Sequence, residues 1–275
     1  MSAPVLASGV LDHLVNSREL EFGPVVVHLP PPLTKHAVMM LVAATIVGVA
    51  AVWTARRAIR NEGRGLLANM VEATALFLRN EVVRPGIGHH HASRWFPYLA
   101  TLFFFILACN LIGLLPPPLG ATATGNIWVT AGLASLTLLS MLGAGMAEKG
   151  VFGYWVSIVP HGVAWWMWPL VWVIELFGHM TKPFALTVRL FANMTAGHVI
   201  LAVLTGMFLV AGSQSFWAGE GGLAGLLGLK AMAGLPSLAF ALFITVFELL
   251  VAFIQAYIFT TLTSIFIGLC ISHEH

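Results

Sequence analysis

The chain has 275 residues, of which 59% are hydrophobic and 9% charged, with a formal net charge of +2. An average soluble domain carries about 25% charged residues, and the mean hydropathy here is +0.90. The apolar residues also fall in runs too long for a soluble core, so the composition excludes an ordinary soluble protein and predicts a polytopic, all-α membrane protein.

The elements expected in chain order begin after a polar stretch. Residues 1–35 carry Asp12, Arg18, Glu19 and Glu21 and lack the pattern of a cleaved signal peptide. From residue 36 to the end the chain reads as one integral-membrane domain. Its first span is expected from His36 to Ala55, about the ~20 residues a helix needs to cross the hydrocarbon. A cluster of Arg56, Arg57, Arg60 and Arg64 ends it. Residues 64–84 set Leu66, Leu67, Met70, Val71, Thr74, Leu78 and Val82 against Arg64, Glu72, Arg79 and Glu81. Spacings of three and four with charge elsewhere on the wheel predict an amphipathic interfacial helix. Arg84-Pro85-Gly86 and His89-His90-His91 are expected to close it as a polar loop.

A core region of about 95–271 follows. The second span is expected from Trp95 to Leu115, stopping at Pro116-Pro117-Pro118, and the third from Ile127 to Ala147. A shorter apolar piece runs from Val151 to Val159. Two long stretches complete the chain, 49 residues from Val163 to Ala211 and 37 from Leu235 to Ile271. At 1.5 Å per residue the second is about 55 Å long, nearly twice the ~30 Å hydrocarbon core. The last two of the five expected membrane segments must therefore tilt strongly, lie partly in the plane, or break. The Gly212–Gly234 segment between them reads as a Gly/Leu-rich loop.

Seven of the 13 Lys and Arg fall between Arg56 and Arg94. By the positive-inside rule that loop is cytoplasmic, which places the N-terminus outside and, after five crossings, the C-terminus inside. Cys109 and Cys270 both sit in apolar runs at a spacing that suits neither zinc nor a disulfide framework, so both read as buried apolar residues.

Charges inside spans cost about 2.5–3.5 kcal/mol each at a helix centre. This chain puts Glu175, Lys182, Arg189 and Glu248 there, with His179 and His198 beside them. Lys182, next to Pro183, has a plainer explanation in snorkelling to the interface. Arg189 does not, since Leu186, Val188, Leu190 and Phe191 surround it in sequence. At about 100° per residue, Glu175, Lys182 and Asn193 share the face of Arg189, whereas His198 falls on the opposite side. Glu248 and Gln255, seven apart, share a face of the last stretch.

This pattern suits proton conduction. Imidazole and carboxylate gain and lose protons, and histidine does so near neutrality. Arginine stays charged, which makes it a poor relay and a good electrostatic barrier. A carboxylate passing it is driven to ionise. The plain alternative for His198, His179 and Glu248 is a hydrogen-bonded structural role.

Other chemistries have less support. The sequence holds no H-E-x-x-H and no Walker-type loop, so it offers neither a zinc protease nor nucleotide binding. Trp165, Trp166, Trp168 and Trp172 read as an interfacial aromatic belt. Glu175 and His179 stand at i and i+4, a spacing that fits a metal, but no third ligand joins them, and His89-His90-His91 reads as solvent-exposed. No metal, cofactor or nucleic-acid partner is expected. A secondary transporter using Arg189 as an anion clamp is a competing reading, but it favours an inverted repeat, and the sequence has none.

The run from Arg189 through Leu-Phe-Ala-Asn193-Met-Thr-Ala-Gly197 to His198 resembles the signature of the stator a subunit of F-type rotary ATP synthases. Further matches come in order: Asn110-Leu-Ile-Gly-Leu-Leu-Pro116, Thr124-Gly125-Asn126, Glu175 fourteen residues before the arginine, Lys182-Pro183, and Gln255-Ala-Tyr-Ile-Phe259. The similarity is dense from about Trp95 onward and thin before it. It implies a non-catalytic proton-channel subunit of a bacterial inner membrane, partnered by a ring of c subunits, peripheral-stalk b subunits and lipids. Arg189 would separate two half-channels that load and unload the ring's carboxylates. Asn193 and Gln255 would lie near it, and His198 and Glu248 would line the outer half-channel. Many relatives carry an acid at the position of His198 and a histidine at that of Glu248, so the two types are exchanged here.

Overall fold

The computed structural model describes residues 19–22, 25–28, 34–60, 65–114, 123–159, 162–217 and 235–271. The polar residues Asp12 and Arg18, the arginine Arg64, the prolines Pro116-Pro117-Pro118 and most of the expected Gly212–Gly234 loop lie outside them.

The membrane-embedded body is helical, as the apolar runs predict. Strands β1 (Glu19–Phe22) and β2 (Val25–His28) pair antiparallel ahead of it, with Leu20 opposite Val27. This hairpin was not anticipated in a chain read as all-α. Its sequence basis is short: the β-branched run Val25-Val26-Val27 favours strand, and Gly23-Pro24 separates the two strands in sequence.

Helix α1 runs from Lys35 to Arg60 and α2 from Leu66 to Phe77. The latter continues through a π-helical stretch, Leu78–Val83, into α3 (Arg84–Ile87). Gly88, at φ 87°, then breaks the helix, and α4 covers His89–Gly113. His89-His90-His91 is therefore the first helical turn of α4 and not a loop. The chain reverses one residue earlier, at a glycine that tolerates the left-handed backbone. Helix α5 (Ile127–Lys149) ends at Gly150, at φ 74°, and α6 covers Val151–Ser157. The two long apolar stretches are unbroken helices, α7 (Trp168–Trp217, 50 residues) and α8 (Leu235–Ile271, 37 residues). Pro183 lies inside α7 without ending it. Lacking an N–H, it leaves the carbonyl four residues earlier, that of His179, without its usual helical donor.

Among the described residues, four helices are long and apolar enough to cross a membrane: Lys35–Arg57, His89–Gly113, Ile127–Lys149 and Ala239–Ile271. Their outward side chains are apolar, as lipid demands. On α1, Leu41, Ile46, Val49 and Val52 are each at least half exposed. At the end of that helix the Arg57 guanidinium lies 4.2 Å from the centre of the Trp53 ring, a pairing suited to the headgroup level.

The chain divides into two compact units. One comprises Leu41–Ala108, Ile127–Leu190 and Ile254–His275, the other Met1–Met40, Cys109–Asn126 and Phe191–Phe253. The first unit has a core of Leu78, Val82, Phe103, Ile106, Leu190 and Phe259, and a second cluster around Leu99, Met141, Tyr154 and Ile267. Helices in lipid gain little from hydrophobic transfer, so close backbone approach has to hold them together. Gly86 and Gly268 supply it: a Cβ on Gly268 would collide with the Gly86 carbonyl, and one on Gly86 with the Ser264 hydroxyl. Ser264 Oγ in turn donates to the Val82 carbonyl at 3.1 Å. The π-helical stretch is thereby fastened to α8.

Candidate functional site

The in-span charges predicted from sequence lie on α7 and α8. Arg189 is exposed, on a stripe with Ala185, Val188 and Ala192, while Leu186 and Leu190 beside it are buried. Glu148 pairs with His91 (3.6 Å) and Arg94 (3.9 Å), and neither pair involves Arg189. A permanent cation thus stands on an outward apolar face.

Glu175, His179 and Lys182 are half-buried in the same unit as Arg189. His179 Nδ1 lies 2.8 Å from the Glu175 carbonyl oxygen. A carbonyl only accepts, so Nδ1 carries the hydrogen, and Nε2 is the nitrogen left to take up a proton. The imidazole also meets the Tyr154 ring edge-on, with centroids 6.5 Å apart. Buried Tyr154 reaches its hydroxyl toward the Cys270 sulfur at 3.6 Å. Both cysteines are free and buried, in keeping with their apolar sequence context. Lys182 does not simply snorkel: its Nζ sits 5.3 Å from the centre of the Phe266 ring, a cation–π contact. Gln255, on α8, is half-buried.

The other unit holds Asn193, His198 and Glu248. Asn193 is half-buried, and the His198 side chain lies outside the described residues although its backbone is part of α7. Glu248 packs against Gly197, the residue just before His198, so closely that a Cβ at position 197 would overlap the carboxylate. Both Glu248 oxygens are shielded from solvent, and neither has a hydrogen-bond partner among the described residues. Shielding a carboxyl from water is costly, and an ionisable group inside a membrane helix is a candidate for function.

Sequence reasoning marked Asn110 and Thr124 only as landmarks. The structure brings them together. Asn110, fully buried, accepts a hydrogen bond from Thr124 Oγ1 at 3.0 Å and donates from Nδ2 to the Ala252 carbonyl at 3.3 Å. Ala252 lies one turn beyond Glu248 on α8. The available signal was Asn110 itself, an amide at the end of the run Phe103-Phe104-Phe105-Ile106-Leu107, where an unsatisfied polar group is expensive.

These features define a multi-pass α-helical membrane protein with ionisable side chains set within its long apolar helices. Residues 37–268 match the sequence model of the ATP synthase A chain family, and the chain belongs to that family. It is 40% identical to ATP synthase subunit a of Chloroherpeton thalassium, over 96% of this chain and 77% of that protein. It is 39% identical to ATP synthase subunit a 2 of Chlorobaculum tepidum, over 96% and 73%. Against ATP synthase subunit a of Myxococcus xanthus it is 40% identical, over 88% and 74%.

Proposed function

We propose that the chain is the proton-translocating stator subunit of a rotary ATP synthase, itself without catalytic activity. Two half-channels bring protons to and from the carboxylates of a c-subunit ring, and Arg189 keeps them apart. The observation that carries the reading is the exposed guanidinium of Arg189 on an apolar helix face. A fixed cation left bare in a membrane segment is expensive. It is accounted for if a partner carboxylate passes in front of it. Arginine cannot pass the proton on, and its field keeps the passing acid ionised.

On this reading the outer half-channel is served by His198 and Glu248, and the cytoplasmic one by Glu175 and His179. Asn193 and Gln255 flank the arginine. Helices α7 and α8 tilt strongly, because about 75 Å and about 55 Å of helix exceed a ~30 Å hydrocarbon core. The run of arginines from Arg56 to Arg94 faces the cytoplasm, with the N-terminal segment 1–35 outside, the C-terminus inside and b subunits as further partners. Each proton crossing 100 mV releases about 2.3 kcal/mol for rotation.

The test is ATP-driven proton pumping by inverted membrane vesicles with Arg189→Ala, after assembly of the complex is verified. Loss of coupled pumping in an intact complex is expected. Normal coupled pumping would remove Arg189 from the barrier role and favour an ion-coupled secondary transporter.

A further inference from the structure

We infer that Asn110 and Thr124 are positioning residues for proton transfer at Glu248, acting by fixing the rotation of α8. The inference rests on the reading of Glu248 as a proton carrier. The amide of Asn110 is fully buried and has both ends engaged, Oδ1 by the Thr124 hydroxyl and Nδ2 by the Ala252 carbonyl. Thr124 is fully buried as well, in the short 3₁₀ turn Ala123–Gly125 that leads into α5. The clamp therefore joins three separate pieces of chain within one compact unit: the end of α4, the turn Ala123–Gly125 and the part of α8 before Ile254.

Within α8 the Ala252 carbonyl already accepts from the amide four residues on. Asn110 takes its second lone pair. Only one rotational setting of α8 points that carbonyl at Asn110. Turning α8 in place would strand the amide and leave a buried polar group unsatisfied, while a screw of one residue, about 100° and about 1.5 Å, would bring the bulkier Val251 or Phe253 to the buried position of Ala252. One turn before Ala252, the same setting aims the Glu248 carboxylate at the bare backbone of Gly197. No described residue hydrogen-bonds that carboxylate. Its direction is thus set from a distance, through the backbone of its own helix.

The test compares Thr124→Val, which removes the hydroxyl at nearly constant shape, with Thr124→Ser, which restores it. Both are read in the assembled complex in inverted vesicles beside wild type, Arg189→Ala and Glu248→Gln. The readouts are the rate of ATP-driven proton pumping and the infrared carboxyl band of Glu248, identified as the band missing in Glu248→Gln. Thr124→Val is expected to reduce pumping by roughly tenfold, as displaced reacting groups do, and to shift the Glu248 band. Thr124→Ser should match wild type in both. If Thr124→Val fails to assemble, Asn110→Gln, which keeps the amide on a longer arm, is read the same way. Wild-type pumping in Thr124→Val, or reduced pumping with the Glu248 band unmoved, overturns the positioning role. Normal pumping in Arg189→Ala instead overturns the underlying proton-channel reading.

Discussion

Gly197 and Glu248 meet on facing helices with no room for a methyl group between them. The carboxylate lies where a side chain at position 197 would be, so the glycine's missing Cβ is part of the carboxylate's site. Gly197→Ala should therefore displace Glu248 without removing any ionisable group. We expect proton pumping to fall by between about tenfold and a hundredfold in a complex that still assembles. Shortening the acid in the same background, Gly197→Ala with Glu248→Asp, should recover part of the loss by drawing the carboxylate back. Equal pumping by Gly197→Ala and wild type would show that the contact does not matter to transfer.

His179 offers a spectroscopic prediction. Its Nδ1–H is committed to the Glu175 carbonyl at 2.8 Å, so the neutral ring should exist as the Nδ1–H tautomer. Nitrogen-15 NMR of histidine-labelled complex, with His179→Gln used for assignment, should place the unprotonated resonance on Nε2. Finding it on Nδ1 would mean that the proton-accepting nitrogen is the other one.

The contact of Gly86 and Gly268 should be sensitive to size. Gly268→Ala adds a methyl group against the Gly86 carbonyl, and overpacking of this kind costs about 1–3 kcal/mol. Ser264→Ala removes only the hydrogen bond to the Val82 carbonyl and should cost about 1 kcal/mol. Thermal unfolding in detergent checks the order: Gly268→Ala should melt lower than Ser264→Ala.

Lys182 and Phe266 should couple energetically. A partly desolvated cation–π pair contributes about 0.5–2 kcal/mol. A double-mutant cycle of Lys182→Met and Phe266→Leu should show an interaction energy in that range, and Lys182→Arg should preserve it. Strict additivity would reduce Lys182 to the snorkelling side chain expected from its place beside Pro183.

Much of the helical frame was legible in the sequence because lipid makes the rule simple: long apolar runs become helices. The run from Leu235 to Ile271 appears with those bounds as α8. The run expected from Val163 to Ala211 appears as α7, displaced by several residues at each end. What escaped were features that depend on chain segments meeting. The sequence leaves open whether the long stretches break, and α7 runs through Pro183 at the loss of one amide and one hydrogen bond. His89-His90-His91 looked like a loop because polarity was read where only Gly88 decides the turn. The packing of Glu248 on Gly197 and the Asn110 clamp join positions far apart in sequence, and periodicity carries no information about such pairs. The charged and polar candidates themselves could be picked out in advance, since a charge in lipid has few innocent explanations.

The π-helical stretch Leu78–Val83 has a consequence for how the chain can change in length. Here the Arg84 amide bonds to the carbonyl of Arg79, five residues back, which is the geometry of an α-helix that has absorbed one additional residue. Deleting a single residue between Leu78 and Val83 would let the segment relax to regular α-helix. The helices on either side would keep about the bearing they have now, because the wide turn takes up its additional residue without adding rotation. Gly86 could stay seated on α8 and α2 could keep its direction. The wide turn is thus a place where the chain can lose a residue without turning one helix against the other, and a one-residue deletion there should be tolerated better than one in the regular helix of α2 or α4, which would turn its flanks by about 100°.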